Sequence, residues 1–425
     1  MRFGGKSLGK FVFSAATLAL SAGTYAQTCV QTRDIYTFTA TINPGGSCGI
    51  FGGSSSQALF NALTTQGLRS LPPQLSVYNG NQGLDIAGRY NAVPFNAQFA
   101  LPGQPNLNFN APFLGVNNQS FIGASRDQSV ALLQSFLASS GINSRVMRFQ
   151  IANSPNSPIA GPGGLIPNMV ASSFDDNLSH AASHIAAPTS FATADGQPSN
   201  QNLIGIGLSY SLMRVQDSNN GLATLPLSYT MRNDLDPRRQ LVFSLPLTRL
   251  NTDGSISYGG GLGAAYRIPM NDSWTLTPSA KVAMTSARDL NTLVSVASAT
   301  MTSNYIWVRD SFDISMANQI GYYQSVKLFG GDYSGNPDVR SVALRNGLML
   351  TQPASVFGQK MSLEFALIDT RYMGTKFYVD NTQELSVTLG TNKRAYSARS
   401  FYRGGLTFLN GRETKGITAN IGYWF

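Results

Sequence analysis

Charge is what this 425-residue chain has least of. Asp, Glu, Lys and Arg make up 12% of it, against about 25% in an ordinary soluble domain. Lysine is absent from Phe11 to Ala280, and the first glutamate is Glu364. No basic run interleaved with aromatics occurs, so the composition argues against a nucleic-acid partner. No apolar run of about 18 residues occurs either, which excludes a transmembrane helix. If the chain spans a membrane it must do so as a closed barrel, because lipid satisfies no exposed backbone group. Histidine is limited to His180 and His184. Their spacing of four suits two metal ligands on a helix, but Ala181 stands where the zinc-protease motif needs glutamate. There is no G-x-S-x-G elbow. Asp175-Asp176 beside His180 is conceivable as a carboxylate–histidine grouping but has no support. The sequence therefore assigns no catalytic residue, no cofactor and no metal, and reads as a non-enzyme.

What is present begins with a leader. Arg2, Lys6 and Lys10 precede an apolar run from Phe11 to Leu20, and Thr24-Tyr25-Ala26 offers small residues at a cleavage site. Residues 1–26 read as a secretory signal cut after Ala26. Three of the 30 basic residues fall there, leaving 27 against 21 acids, a mild excess. Cys29 and Cys48 are the only cysteines. In an oxidising compartment they are expected to form a disulfide, closing a ~20-residue loop and contributing about 3 kcal/mol.

Residues 27–200, rich in Asn, Gln, Ser, Gly and Pro, are expected to form an N-terminal mixed exported domain. One helix is expected over Ser56–Leu68. A second follows an N-cap at Ser125, with Gln128 completing a capping box and Gly141 expected at the C-cap. A third, weaker helix is expected from Ser173 to about Ala186. Asn153–Pro167 carries four prolines and three glycines and reads as a linker. No long internal repeat is visible.

From residue 202 to 425 the pattern changes to strict alternation. Ile204, Ile206, Leu208, Tyr210 and Leu212 alternate with Gly205, Gly207, Ser209 and Ser211. Similar stretches recur to the end, and only Leu293–Val308 has uncertain parity. The last is Gly416–Phe425, in which Ile417, Ala419, Ile421, Tyr423 and Phe425 share one face. Twelve segments are counted, with one apolar face throughout.

This final strand resembles the closing strand of bacterial outer-membrane β-barrels. In that family the terminal aromatic belongs to the assembly signal, which the resemblance places at Ile421, Tyr423 and Phe425. The fold class expected is all-β membrane: a 12-stranded antiparallel transmembrane β-barrel preceded by the exported domain, in the cell outer membrane. Strand count and domain order resemble autotransporter translocators, in which a helix before the first strand threads the pore; Ser173–Ala186 is the candidate. The resemblance also implies outer-membrane lipid, periplasmic chaperones and barrel assembly machinery as partners. An even strand count leaves both barrel ends in the periplasm, with Lys327–Asp338 and Met373–Gln383 as outer loops and short inner turns.

On the opposite parity lie Arg232, Arg267, Lys281, Arg345, Arg399 and Arg403 against Asp313, Glu364 and Glu384. These are the expected lumen-lining charges. Two functions fit. One is a pore or translocator for an exported protein or small solute, with the N-terminal region as periplasmic domain or plug. The other is an autotransporter-type surface adhesin with a short passenger. The first is favoured on sequence, since no solenoid is visible.

Overall fold

The computed structural model describes residues 29, 35–71, 75–181, 202–216, 218–233, 236, 238–287, 292–328, 334–391 and 401–424. The N-terminal domain is a six-stranded antiparallel sheet: β1 (Tyr36–Asn43), β2 (Cys48–Gly53), β3 (Gly83–Tyr90), β4 (Val93–Phe99), β5 (Asn106–Ala111) and β6 (Val116–Ile122), in spatial order β2-β1-β3-β4-β5-β6. Period-2 alternation builds it. Val93, Phe95, Ala97 and Phe99 are buried while Pro94, Asn96 and Gln98 are exposed. The buried face meets four helices, α1 (Ser56–Leu63), α2 (Thr65–Ser70), α3 (Arg126–Leu137) and α4 (Ser140–Asn153). The sequence reading missed this sheet. It also expected one helix where α1 and α2 stand. Thr64 leaves the helical conformation between them, and its Oγ1 accepts from Gly67 N at 3.1 Å to cap α2. Ser125 caps α3 as expected, accepting from Gln128 N at 3.2 Å. Gly141 does not end α3; α3 stops at Ala138 and Gly141 lies within α4. Cys29 and Cys48 form the expected disulfide.

The loops at one end of the sheet are gathered by Arg126, which is only 7% exposed. Its guanidinium donates to Tyr78 Oη at 2.7 Å and to the carbonyls of Gln82, Gln104 and Leu101 at 2.6, 3.1 and 3.3 Å. It lies 4.7 Å from the Phe99 ring centroid. Burial pushes the Tyr78 phenol above its ordinary range, so it remains a neutral acceptor for Arg126.

The C-terminal half is a closed antiparallel barrel of twelve strands: β7 (Leu203–Val215), β8 (Ser218–Arg232), β9 (Gln240–Thr252), β10 (Ser255–Pro269), β11 (Trp274–Ala287), β12 (Thr292–Val308), β13 (Asp313–Val326), β14 (Arg340–Val356), β15 (Gln359–Gly374), β16 (Asn381–Thr391), β17 (Phe401–Gly411) and β18 (Thr414–Trp424). β18 closes on β7, from Thr414 opposite Val215 to Trp424 opposite Gly205. Side chains at Ile204, Leu208, Leu262, Leu367 and Ile421 stand outward and exposed, as a lipid-facing band requires. No helix among the described residues is long and apolar enough to cross a membrane. The uncertain stretch is β12. Its inward residues include Val294 and Val296, which are buried in the core shared with the N-terminal domain. Both faces are therefore apolar there, and alternation disappears.

The N-terminal domain sits on one mouth of the barrel, the end opposite the start of β7 and the end of β18. Ile151 of α4 packs in one cluster with Tyr323, Val339, Ala343 and Phe377 from that mouth. Tyr378 N donates to Ile151 O at 2.8 Å, Asn336 N to Ser144 Oγ at 3.1 Å, and Arg148 pairs with Asp338 at 3.4 Å. Tyr378 Oη also donates to Glu413, joining two hairpins. Burial and that carboxylate push the phenol up to about 12. The described parts of the two expected outer loops, Ser334–Val339 and Thr375–Asp380, both lie at this mouth.

Replacing Arg126 with alanine leaves one hydroxyl and three carbonyls without their donor. The domain should lose about 3 kcal/mol. Hydrogen exchange should accelerate at residues 75–82 and 100–105 and stay unchanged in the barrel strands.

Candidate functional site

A fifth helix, α5 (Leu165–Ala181), runs inside the barrel. It begins eight residues before the helix expected from sequence, with Pro167 in its first turn, where a missing N–H costs nothing. The linker before it is not a loose tether. Ser157, Ile159, Ala160 and Ile166 are buried at the mouth. Gly163 has φ of +77°, and a Cβ there would lie 2.6 Å from Met213 Cε. The positive φ is what calls for glycine, since the flexible thioether tip of Met213 could yield to a Cβ.

The helix lies against β11–β14, and long polar side chains from that wall reach it. Lys281 Nζ donates to Ser172 Oγ at 2.9 Å. Gln319 Nε2 donates to Val170 O at 3.3 Å, and Asn304 Nδ2 to Asn177 O at 2.8 Å. Phe174 is wholly buried with Leu178, Ala317, Met349, Ala366 and Ile368. It needs Gly347 opposite, where a Cβ would come within 2.8 Å of its ring.

Arg345 is the hub. Its guanidinium lies 5.1 Å from the Phe174 ring centroid. It donates to Glu384 Oε1 at 2.7 Å and Oε2 at 3.0 Å, to Asp175 Oδ1 at 3.0 Å and to Thr370 Oγ1 at 2.7 Å. Two strands and the helix thus meet at one fork, the geometry for which Arg is suited. Arg403 pairs with Glu364 nearby.

Among the charges read from sequence, Arg267, Lys281, Asp313, Arg345 and Glu364 are buried inside the barrel. Glu384 and Arg403 line the remaining cavity. Arg232 is half-buried at the end of β8. Arg399, His184 and Phe425 lie outside the described residues. Ile421 and Tyr423 face outward. The sequence reading missed Asn304, because the parity of β12 was unreadable, and it missed Phe174 and Gly347, whose partnership is purely spatial.

A closed twelve-stranded barrel with an apolar exterior and a hydrophilic, charge-bearing interior decides the class. The fold is that of a transmembrane β-barrel, the kind that spans outer membranes. No family model matches its sequence, and no characterised protein matches it by sequence. Its structure is loosely similar to the β domain of the Bordetella autotransporter BrkA, at 9% identity and a TM-score of 0.42, over 53% of this chain and 98% of that one. The translocator domain of the autotransporter NalP from Neisseria meningitidis gives 11% identity and 0.40, over 61% and 94%. The KdgM porin in complex with disordered oligogalacturonate gives 12% and 0.34, over 52% and 98%.

Substituting Arg345 with methionine strips Glu384 of its cation and frees Asp175. The helix seat should weaken by about 3 kcal/mol. Hydrogen exchange in α5 should then quicken roughly a hundredfold, while the barrel keeps its heat-modifiable mobility.

Proposed function

We propose that this protein is a self-displaying translocator of the outer membrane: the barrel carries its own N-terminal domain to the cell surface and keeps α5 in the lumen as the tether. The observation that carries this reading is the path of the chain. The domain docks at the mouth away from both barrel termini. The helix then enters from that mouth, and its far half reaches Asn304 and Arg267, close to the end where β7 begins. With the barrel termini in the periplasm, the domain faces outward. A periplasmic domain, the reading favoured on sequence, would require the barrel to be inserted upside down.

The displayed surface is the open face of the six-stranded sheet. It presents Thr41, Asn96, Gln98, Asn108 and Ser120, hydroxyls and amides, with Asp85 and Arg89 as its charges. That composition suits adhesive contact through hydrogen bonds, and the function is passage and display rather than catalysis.

An epitope inserted between Gly45 and Gly46, a turn with open space around both residues, tests the orientation. Antibody should bind it on intact cells, and external protease should remove it. Binding only after the outer membrane is permeabilised would reject display.

A further inference from the structure

The lumen has two unlike walls. β11–β14 reach inward with Lys281, Asn304, Gln319 and Arg345 and hold the helix. The facing wall stands back. Its inward residues include Ser209, Ser211, Ser228 and Ser244, while Gly205 and Gly207 lie beneath the side chains of Trp424 and Pro226. Side chains this small leave the space beside α5 unfilled, whereas a packed interior would use large ones. The result is a cavity of about 420 Å³ extending along the barrel, from Val379 and Thr382 near the mouth to Gly205 and Trp424 at the opposite end.

Its outer end is closed differently. Met213, Leu222 and Leu250 form a separate apolar cluster on the inner face of β7, β8 and β9. Gly163 of the linker seats on them: a Cβ there would approach Leu222 Cβ and Leu250 Cδ1 to 3.4 Å each. Alongside, Asn220 Nδ2 donates to Pro162 O at 3.4 Å, a long bond. Three aliphatic side chains on this wall, capped by the linker, make a hydrophobic constriction that opposes water and ions.

We propose that the assembled protein carries a second passage, a lane for small hydrophilic solutes and ions beside the lumen helix, closed at the mouth by Gly163 seated on Met213, Leu222 and Leu250. What makes the lane wettable is the row of hydroxyls at Ser209, Ser211, Thr224, Ser228 and Ser244 and the charged side chains of Lys281, Arg345, Glu364, Glu384 and Arg403, set among apolar neighbours such as Val242, Pro246 and Met349. Its charges come in opposed sets, Arg345 with Asp175 and Glu384, and Arg403 with Glu364. It therefore suits uncharged polyhydroxylated solutes and small salts without strong selection by sign. The plug is the linker, while the helix occupies only its own side of the lumen. This holds whichever way the barrel is inserted, so its failure and that of the display reading are separate.

The test is conductance of the full chain in planar bilayers in potassium chloride. The wild-type protein should pass little current. The triple variant Met213→Ser, Leu222→Ser, Leu250→Ser should conduct at least tenfold more. Adding Ser209→Trp, which fills the lane on the wall away from α5, should abolish the gain. A triple variant as silent as wild type overturns the proposal. So does a gain that survives Ser209→Trp, because the current would then run through space vacated by the helix. If the triple variant yields no heat-modifiable barrel, Met213→Ser alone should show intermittent openings that Ser209→Trp removes, and a channel that stays shut overturns the lane equally.

Discussion

The structure depends on one constraint: a backbone in lipid must pair all of its hydrogen-bonding groups within the protein. Twelve strands meet it only if the last pairs with the first, and β18 does so along β7. Closure then creates a second problem. Eight strands give an interior that side chains can fill, but twelve leave a space too wide for that. The chain fills part of the space with its own helix. The residue choices inside the barrel follow from how that helix is held and what is left beside it.

Holding the helix takes polar groups where a soluble core would use aliphatic ones. Arg345 is buried, and by general experience a buried ion pair adds little net stability over a hydrophobic substitute. Its contribution is placement. One guanidinium fixes Asp175 of the helix relative to Glu384 and Thr370 of the wall, while Phe174 fits against Gly347 below it. At the mouth the logic reverses. Val294, Val296, Tyr323 and Phe377 join the core of the N-terminal domain, so the barrel rim there is both a lumen wall and a docking surface.

Much of the barrel was legible because a period of two repeated over eleven or more residues is hard to produce otherwise, and the closing strand was legible from Gly416 to Trp424. β12 was not, because Val294 and Val296 face another domain rather than water. The six short strands of the N-terminal sheet escaped although Tyr36, Phe38, Ala40 and Ile42 alternate. Polar Thr and Asn neighbours and flanking glycines make such stretches look irregular. The linker from Asn153 to Pro167 showed its prolines and glycines but not that it would be buried, and Gly163 carries no local sign of its seat. The inward charges could be placed by parity. Their partners could not, since Arg345 and Asp175 are 170 residues apart.

The central claim is that α5 occupies the lumen against β11–β14 in the assembled protein. It is tested most directly by placing cysteines at Ser172 and Lys281, whose side chains touch at 2.9 Å, and treating membranes with a short bifunctional thiol reagent. The expected result is an efficient intramolecular bridge that alters the denatured mobility of the full chain. Failure to bridge, with the cysteine at position 172 open instead to bulky water-soluble reagents, would contradict the account.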